Sequence, residues 1–491
     1  MSWSPQAFCG RRFDGTAGWS VLRCGGSGPL PGRSPVGIPA AMTAELSSSS
    51  HARATMALGL PLIGSSLAQM ALHVADTVML GWYGVVALAA GVLGASSFFV
   101  LFVLGSGLAK AVMPLAAAGR AAGDEAQVRR PARMGLWLSA VYGVLVYPVF
   151  WWSGPILLSL GQKPEVAAAA ADYMLVAGLG LVPALWVAVL QSWLAALGRT
   201  QVVLWVTLAA LALNIVANWA LIFGNWGFPE LGAQGAAVAT LLVQVASLAI
   251  LAPYAALARG TRPYRLFQRF WRVDGTALRQ VFRLGWPIGV TGVAETGLFQ
   301  ASALMMGWVG TAELAAHGIA MEAVSVAFMV HVGLSSAATI RVAEFLGKDR
   351  AADLRRAARV ALALSMAVAA VMVVAFLLWP DGIIRLFLDM TKPESAAILE
   401  VGRVLVMVAA LFLAADAMQV MALGLLRGLQ DTRMPLMLAV ISYWCIGIPS
   451  SYVLAFPLGL GGMGLWLGLV VGLVAASSSL LVRFWRLAPK G

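Results

Sequence analysis

Apolar runs of about 20 residues recur along nearly the whole chain, separated by short polar turns. A helix rises about 1.5 Å per residue, so each run is long enough to cross the hydrocarbon of a bilayer. The pattern predicts twelve spanning helices, at about 56–82, 86–118, 132–153, 168–195, 201–224, 233–257, 280–308, 313–345, 356–379, 397–426, 434–456 and 462–484. Several are longer than a bilayer needs, which implies tilt or extension into water. Pro61, Pro114, Pro183 and Pro287 fall inside or near the ends of spans and predict kinks.

The polar interruptions of this pattern are few. The seventh span is apolar from Leu284 to Val309 except for one acid, Glu295. Arg283 and Trp308 bracket it, 25 residues apart, which is roughly 38 Å of helix. Glu295 therefore sits near the midplane, where a charge costs on the order of 3 kcal/mol and is tolerated mainly facing a cavity or a partner. Thr291, Glu295 and Ser302 form a polar stripe on one helix face. Asp416 is likewise near the midplane of the tenth span, with Gln419 one turn later, and Asp76 lies in the outer half of the first. Glu322 is in the eighth span. Asn214 and Asn218 stand four residues apart on one face of the fifth, placed to co-ligate a cation or to pair with Asp76. They also suit plain inter-helix hydrogen bonding. Lys110 is close enough to a span end to snorkel. His73, His317 and His331 lack the carboxylate spacing of a metal site and read as packed or interfacial residues.

Loop charge orients the helices. Alternate loops together with the C-terminal segment hold 24 Lys and Arg; the intervening loops hold four, Lys163, Arg385, Lys392 and Arg403. An excess of this kind marks the cytoplasmic side and puts both termini there. The chain also repeats. Gly59, Met79, Trp82, Gly107, Arg129 and Arg130 are matched by Gly285, Met305, Trp308, Gly333, Arg355 and Arg356, all at an offset of 226. Two parallel six-helix halves follow, about 53–258 and 280–486, joined by a basic linker at 259–279. A site between such halves is the usual design of a secondary transporter.

Composition agrees with this picture. The chain is 60% hydrophobic and 11% charged, with a net charge of +12. No soluble class looks like this, and the basic residues sit in short loops, where membrane topology explains them without nucleic acid. Cys9, Cys24 and Cys445 give neither a disulfide framework nor metal spacing. Residues 1–52 show no periodicity and read as an unstructured tail, with Met42 as a candidate natural start. There is no GxxxxGK[ST], HExxH or GxSxG, so neither direct ATP drive nor the common hydrolase chemistries are expected. No cofactor is implied, and the chain is not expected to be an enzyme.

Five stretches taken together resemble the multidrug and toxin extrusion (MATE) family in its NorM-like bacterial branch, over about residues 55–485. They are VADTVMLGWYG around Asp76, LNIVANWALIFGNWGFPELGAQGAA from Leu213, AETGLFQ around Glu295, AATIRVAEFLG from Ala337, and AADAMQVMALGLLRGLQDTR from Ala414. The resemblance implies a V-shaped pair of six-helix lobes in a bacterial inner membrane, acting as a monomer. It implies antiport, in which entry of Na⁺ or H⁺ drives export of cationic amphipathic drugs. By position it makes Asp76 the cation-linked acid of the first lobe, with Asn214 and Asn218 beside it. Glu295 and Asp416 become the acids of the second lobe, a possible Na⁺ site, and Glu322 an acid shared with some members. Many relatives carry a tyrosine one turn before the tenth-helix acid. This chain has Phe412 there, one oxygen fewer, which Glu322 could restore. Phe299, Phe328 and Trp186 are aromatic candidates for stacking on a planar cation.

The expected chemistry is charge exchange. An ionised acid attracts a cationic drug, and a proton or Na⁺ cancels that attraction and releases it. A lipid-linked oligosaccharide flippase is the rival within the superfamily; it would want cationic groups facing a cavity, for which only Lys110 offers itself. An ion channel is the rival from another class, and nothing resembles a selectivity filter.

Overall fold

The structure is a computed structural model and describes residues 12–13, 19–20, 46–388 and 395–490. Met42, Cys9, Cys24, Lys392 and most of the expected tail lie outside these residues. Arg12–Phe13 and Trp19–Ser20 form a short antiparallel pair, Arg12 opposite Ser20 and Phe13 opposite Trp19.

Twelve long helices follow: α1 Ser48–Tyr83, α2 Val85–Ala121, α3 Glu125–Trp151, α4 Pro164–Ala196, α5 Thr200–Phe223, α6 Ala233–Leu257, α7 Gly275–Val309, α8 Thr311–Gly347, α9 Ala351–Leu378, α10 Ser395–Gly428, α11 Arg433–Ala455 and α12 Gly461–Leu487. Eleven are long and apolar enough throughout to cross a membrane. The exception is α7, which carries Arg279, Arg283 and Glu295 among several glycines and hydroxyl residues. Helix α1 begins inside the expected tail, because the Ser47 side chain accepts from Ser50 N at 3.2 Å and caps it. Asp124 and Asp274 cap α3 and α7 in the same way. Inside α11 the residues Ile441–Gly447 form a π-helical turn.

The offset of 226 survives in three dimensions. Helices α2 and α8 are the same length, 37 residues, and both start and stop one offset apart. Gly84 and Gly310 separate the first two helices of each half, their N–H groups bonded to Leu80 O and Met306 O. The halves meet through equivalent contacts. A Cβ on Gly107 would lie 2.3 Å from the nitrogen of Gly289, and one on Gly333 would lie 2.5 Å from the nitrogen of Ile63. Gly107 and Gly333 are repeat mates, as are Ile63 and Gly289. So α2 lies backbone to backbone on α7, and α8 on α1, because glycine leaves no side chain between them. These contacts fall in the arginine-bearing halves of the helices. At the same end Gly347 of α8 lies against Ala118 O of α2, and a buried polar junction ties α1 to α9. There Asp353 Oδ1 accepts from Leu46 N at 3.1 Å and lies 3.2 Å from His51 Nε2.

Towards the opposite end the two six-helix bundles part. Helices α1, α5 and α8 line a cleft of about 770 Å³ there. A glycine seam at one end and this cleft at the other agree with the V-shaped pair of lobes that the resemblance implies. The linker after α6 is not free: Trp137 Nε1 donates to Phe270 O at 2.9 Å, Arg133 Nη1 to Arg269 O at 3.2 Å, and Leu266 is buried.

Candidate functional site

Three separate places hold the polar residues picked out from the sequence. The first is in the first lobe. Asp76 Oδ1 accepts from Asn214 Nδ2 at 3.0 Å and from Asn218 Nδ2 at 2.6 Å, while Oδ2 lies 3.5 Å from Thr240 Oγ1. Asn214 and Asn218 share a face of α5 because they are one turn apart, and Asn218 also donates to Asn214 Oδ1 at 3.3 Å. Both are buried. This cluster borders a cavity of about 140 Å³ whose other polar walls include His73, Tyr173, Gln191 and Thr240. Thr240 and Tyr173 escaped sequence reasoning, since a hydroxyl in a membrane helix carries no charge that needs explaining. His73, read as a packing residue, stacks edge-on against Phe99 at 6.2 Å and shares the cavity with Asp76.

The second place is the core of the second lobe. Glu295 on α7 and Asp416 on α10 are electrostatic neighbours. Both oxygens of Asp416, Oε1 of Glu295 and Oε1 of Gln419 are buried and have no hydrogen-bond partner among the described residues. The stripe on α7 offers no relief, because Thr291 Oγ1 turns back to Pro287 O at 2.7 Å and Ser302 Oγ to Phe299 O at 2.7 Å. Gln419 Nε2 donates to the hydroxyl of Tyr443, a fully buried residue in the π-helical turn of α11. The hydroxyl beside the acids is thus that of Tyr443. Glu322, expected as a possible replacement for the missing tyrosine oxygen, does not reach this cluster. Two cations face it: Arg427, in the last turn of α10 rather than in a loop, and Lys110 of the first lobe. Phe412 packs against Phe299 and Trp466, with ring centroids 6.1 and 5.3 Å away.

Glu322 marks the third place. It lines the cleft between the bundles and makes no hydrogen bond or ion pair with any described residue. It is the one charged group in a wall otherwise apolar, in which Met70, Trp82, Trp219 and Trp226 take part. The aromatic surface of the cleft is this tryptophan set with Phe387, and not Phe299, Phe328 or Trp186. Trp226 is held outward in a left-handed conformation (φ 60°) between Gly224 and Gly227, an unusual place for a bulky side chain.

No group of three or more His, Cys, Asp or Glu able to hold a metal occurs among the described residues.

The MatE family model matches residues 61–220 and 287–453. The two segments begin one repeat offset apart, as the glycine contacts require. A probable multidrug resistance protein NorM of Rhizobium meliloti is 45% identical over 437 residues, covering 89% of this chain and 94% of the relative. Its counterpart in Agrobacterium fabrum is 43% identical over 435 residues, with the same coverage of both chains, 89% and 94%. Among solved structures, an outward-facing multidrug resistance MATE family transporter of the MOP superfamily superposes with a TM-score of 0.81 at 21% identity, covering 90% of this chain and 97% of that one. A duplicated twelve-helix architecture, a match over most of both halves and bacterial relatives at this identity lead to one assignment: the chain belongs to the MATE family of membrane transporters, in its NorM-like bacterial branch.

Proposed function

We propose that this protein is a multidrug efflux antiporter that exports cationic amphipathic compounds in exchange for an inward-moving proton or Na⁺. The observation that supports this most is the unpartnered carboxylate oxygens of Asp416 and Glu295 in the second lobe. An ionised carboxylate buried without a partner is costly, so a proton or a cation must meet it there. Asp76 is the corresponding acid of the first lobe, with Asn214 and Asn218 as its ligands, and Gln419 assists Asp416. The apolar, tryptophan-lined cleft has the size of a drug-binding pocket. With Glu322 in its wall it suits a greasy molecule bearing one positive charge.

The cycle follows from charge. With its acids ionised the protein attracts an organic cation, and a proton or Na⁺ arriving from outside displaces it. The neutralised lobe then crosses back at lower cost. One proton exchanged for one singly charged drug moves no net charge, so the membrane potential drops out and each pH unit, about 1.4 kcal/mol, sustains a roughly tenfold drug gradient without ATP. A second coupling ion per drug would add about 2.3 kcal/mol for each 100 mV. The arginine-rich end faces the cytoplasm in this reading, so the cleft opens outwards.

Dye transport in everted vesicles, energised separately by a proton or a Na⁺ gradient, tests the proposal. Dye movement should follow at least one gradient and collapse with it. Dye flux indifferent to both would refute antiport.

A further inference from the structure

The repeat carries a trio of arginines in each half, Arg129, Arg130 and Arg133 on α3 and their mates Arg355, Arg356 and Arg359 on α9. The two trios have different surroundings. In the second half Arg355 Nη2 donates to Trp485 O and Ala488 O, both at 3.3 Å, and Arg356 Nη1 donates to Leu46 O at 2.7 Å. Chain carbonyls take up Arg355 and Arg356, although Arg355 Nε stays buried without a partner. In the first half the trio faces Arg269 and Arg272 of the linker across a cavity of about 450 Å³. Five arginines line it, and Asp274 is the one acid, 3.4 Å from Arg130 Nε. The side chains of Arg129 and Arg272 make no hydrogen bond or ion pair with any described residue. The Nε atoms of Arg129 and Arg133 are buried and unpartnered.

Five guanidiniums around one small space repel one another, and one carboxylate offsets a fifth of that charge. The linker is nevertheless fastened over the cavity rather than pushed away from it. Arg133 holds Arg269 O, Trp137 holds Phe270 O, and the rings of Trp137 and Phe270 stack at 5.7 Å. Arg269 itself is held in the left-handed region (φ 54°). Planar guanidinium forks converging on a cavity match phosphate oxygens. The cavity lies at the helix ends, beside the exposed Trp271, where a membrane interface is expected.

We propose that this cavity is a binding site for a phosphate-bearing anion with two or more negative charges, supplied by the headgroup of an acidic phospholipid, with two-phosphate lipids favoured. The bound headgroup screens the arginines and fixes the linker that joins the two lobes.

The test is native mass spectrometry of the full chain released from vesicles of phosphatidylcholine, phosphatidylglycerol and diphosphatidylglycerol. The wild type should retain acidic lipid, diphosphatidylglycerol most. An Arg129→Gln, Arg133→Gln, Arg272→Gln triple variant should retain it about tenfold less, while Arg359→Gln in the other half matches the wild type. Circular dichroism on the triple variant separates loss of the site from loss of the fold, and Arg272→Gln alone serves if the triple variant does not fold. A second arm adds inorganic pyrophosphate to lipid-free protein in detergent. Stabilisation of the wild type but not the variant, without lipid retention, would keep the phosphate chemistry and move its source to a soluble anion. Equal lipid retention by wild type and a folded variant, with no response to pyrophosphate, overturns the proposal.

Discussion

The two lobes descend from one repeat, yet they treat their buried acids in opposite ways. In the first, Asp76 is surrounded by donors: two asparagine amides and a threonine hydroxyl converge on one carboxylate. In the second, Asp416 has neither oxygen bonded and Glu295 has one left over, with Tyr443, Arg427 and Lys110 as the nearest polar company. Protein groups satisfy the first acid, whereas the second pair keeps carboxylate oxygens that no described residue satisfies. The lesson is that one duplicated scaffold can carry a fixed electrostatic site and an exchangeable one. In the proposed exchange, the second lobe is then the place where coupling is felt most.

Substitutions can break this contrast. The largest effect is expected from Glu295→Gln and Asp416→Asn, each of which should lower gradient-driven dye efflux at least 100-fold with membrane expression unchanged. Dye efflux from cells expressing each variant reads this out. Stability should then move in opposite directions in the two lobes. Asp76→Leu strands the donors of Asn214, Asn218 and Thr240 and should destabilise by about 1–3 kcal/mol. Asp416→Leu removes a buried charge with no bonds to lose and should be neutral or stabilising. Thermal unfolding in detergent compares them.

The seam between the lobes provides a control of similar size. Gly107→Val or Gly333→Val places a side chain where backbone atoms lie 2.3 or 2.5 Å away, and each should cost about 1–3 kcal/mol or push the lobes apart. Repeat mates should behave alike here, and cross-linking across α2 and α7 would show it. Tyr443→Phe should have the smallest effect. It removes one hydrogen bond from Gln419, worth about 1 kcal/mol. A shift of roughly tenfold or less in the dependence of transport on the coupling ion, without loss of maximal rate, is expected.

Much of this was legible in the sequence, and the reasons differ by feature. The spans were readable because hydrocarbon demands long apolar helices. Even α7 could be found, despite its acid and its glycines, from the brackets Arg283 and Trp308. The repeat was readable from Gly107, Gly333 and the paired arginines, since a backbone contact tolerates no other residue and a loop charge fixes a side. Asp76, Glu295 and Asp416 stood out because a lone acid in hydrocarbon has no cheap structural use. Tyr443 and Thr240 did not, because a single hydroxyl in a helix has many. The span expected at 397–426 leaves Arg427 in a loop, whereas α10 runs past it and its side chain turns inwards. Glu322 joins the other acids through the resemblance, and it lines the cleft rather than the second lobe's core. The junction of His51 with Asp353, 302 residues apart, has no local signal.

Counter-flow measures the exchange itself. In vesicles with no imposed ion gradient, a gradient of an organic cation dye should move protons or ²²Na⁺ in the opposite direction through the wild type and not through Asp416→Asn. Dye movement through the wild type with no opposing ion flux, or undiminished counter-flow in the variant, would contradict an exchange seated on the second lobe's acids.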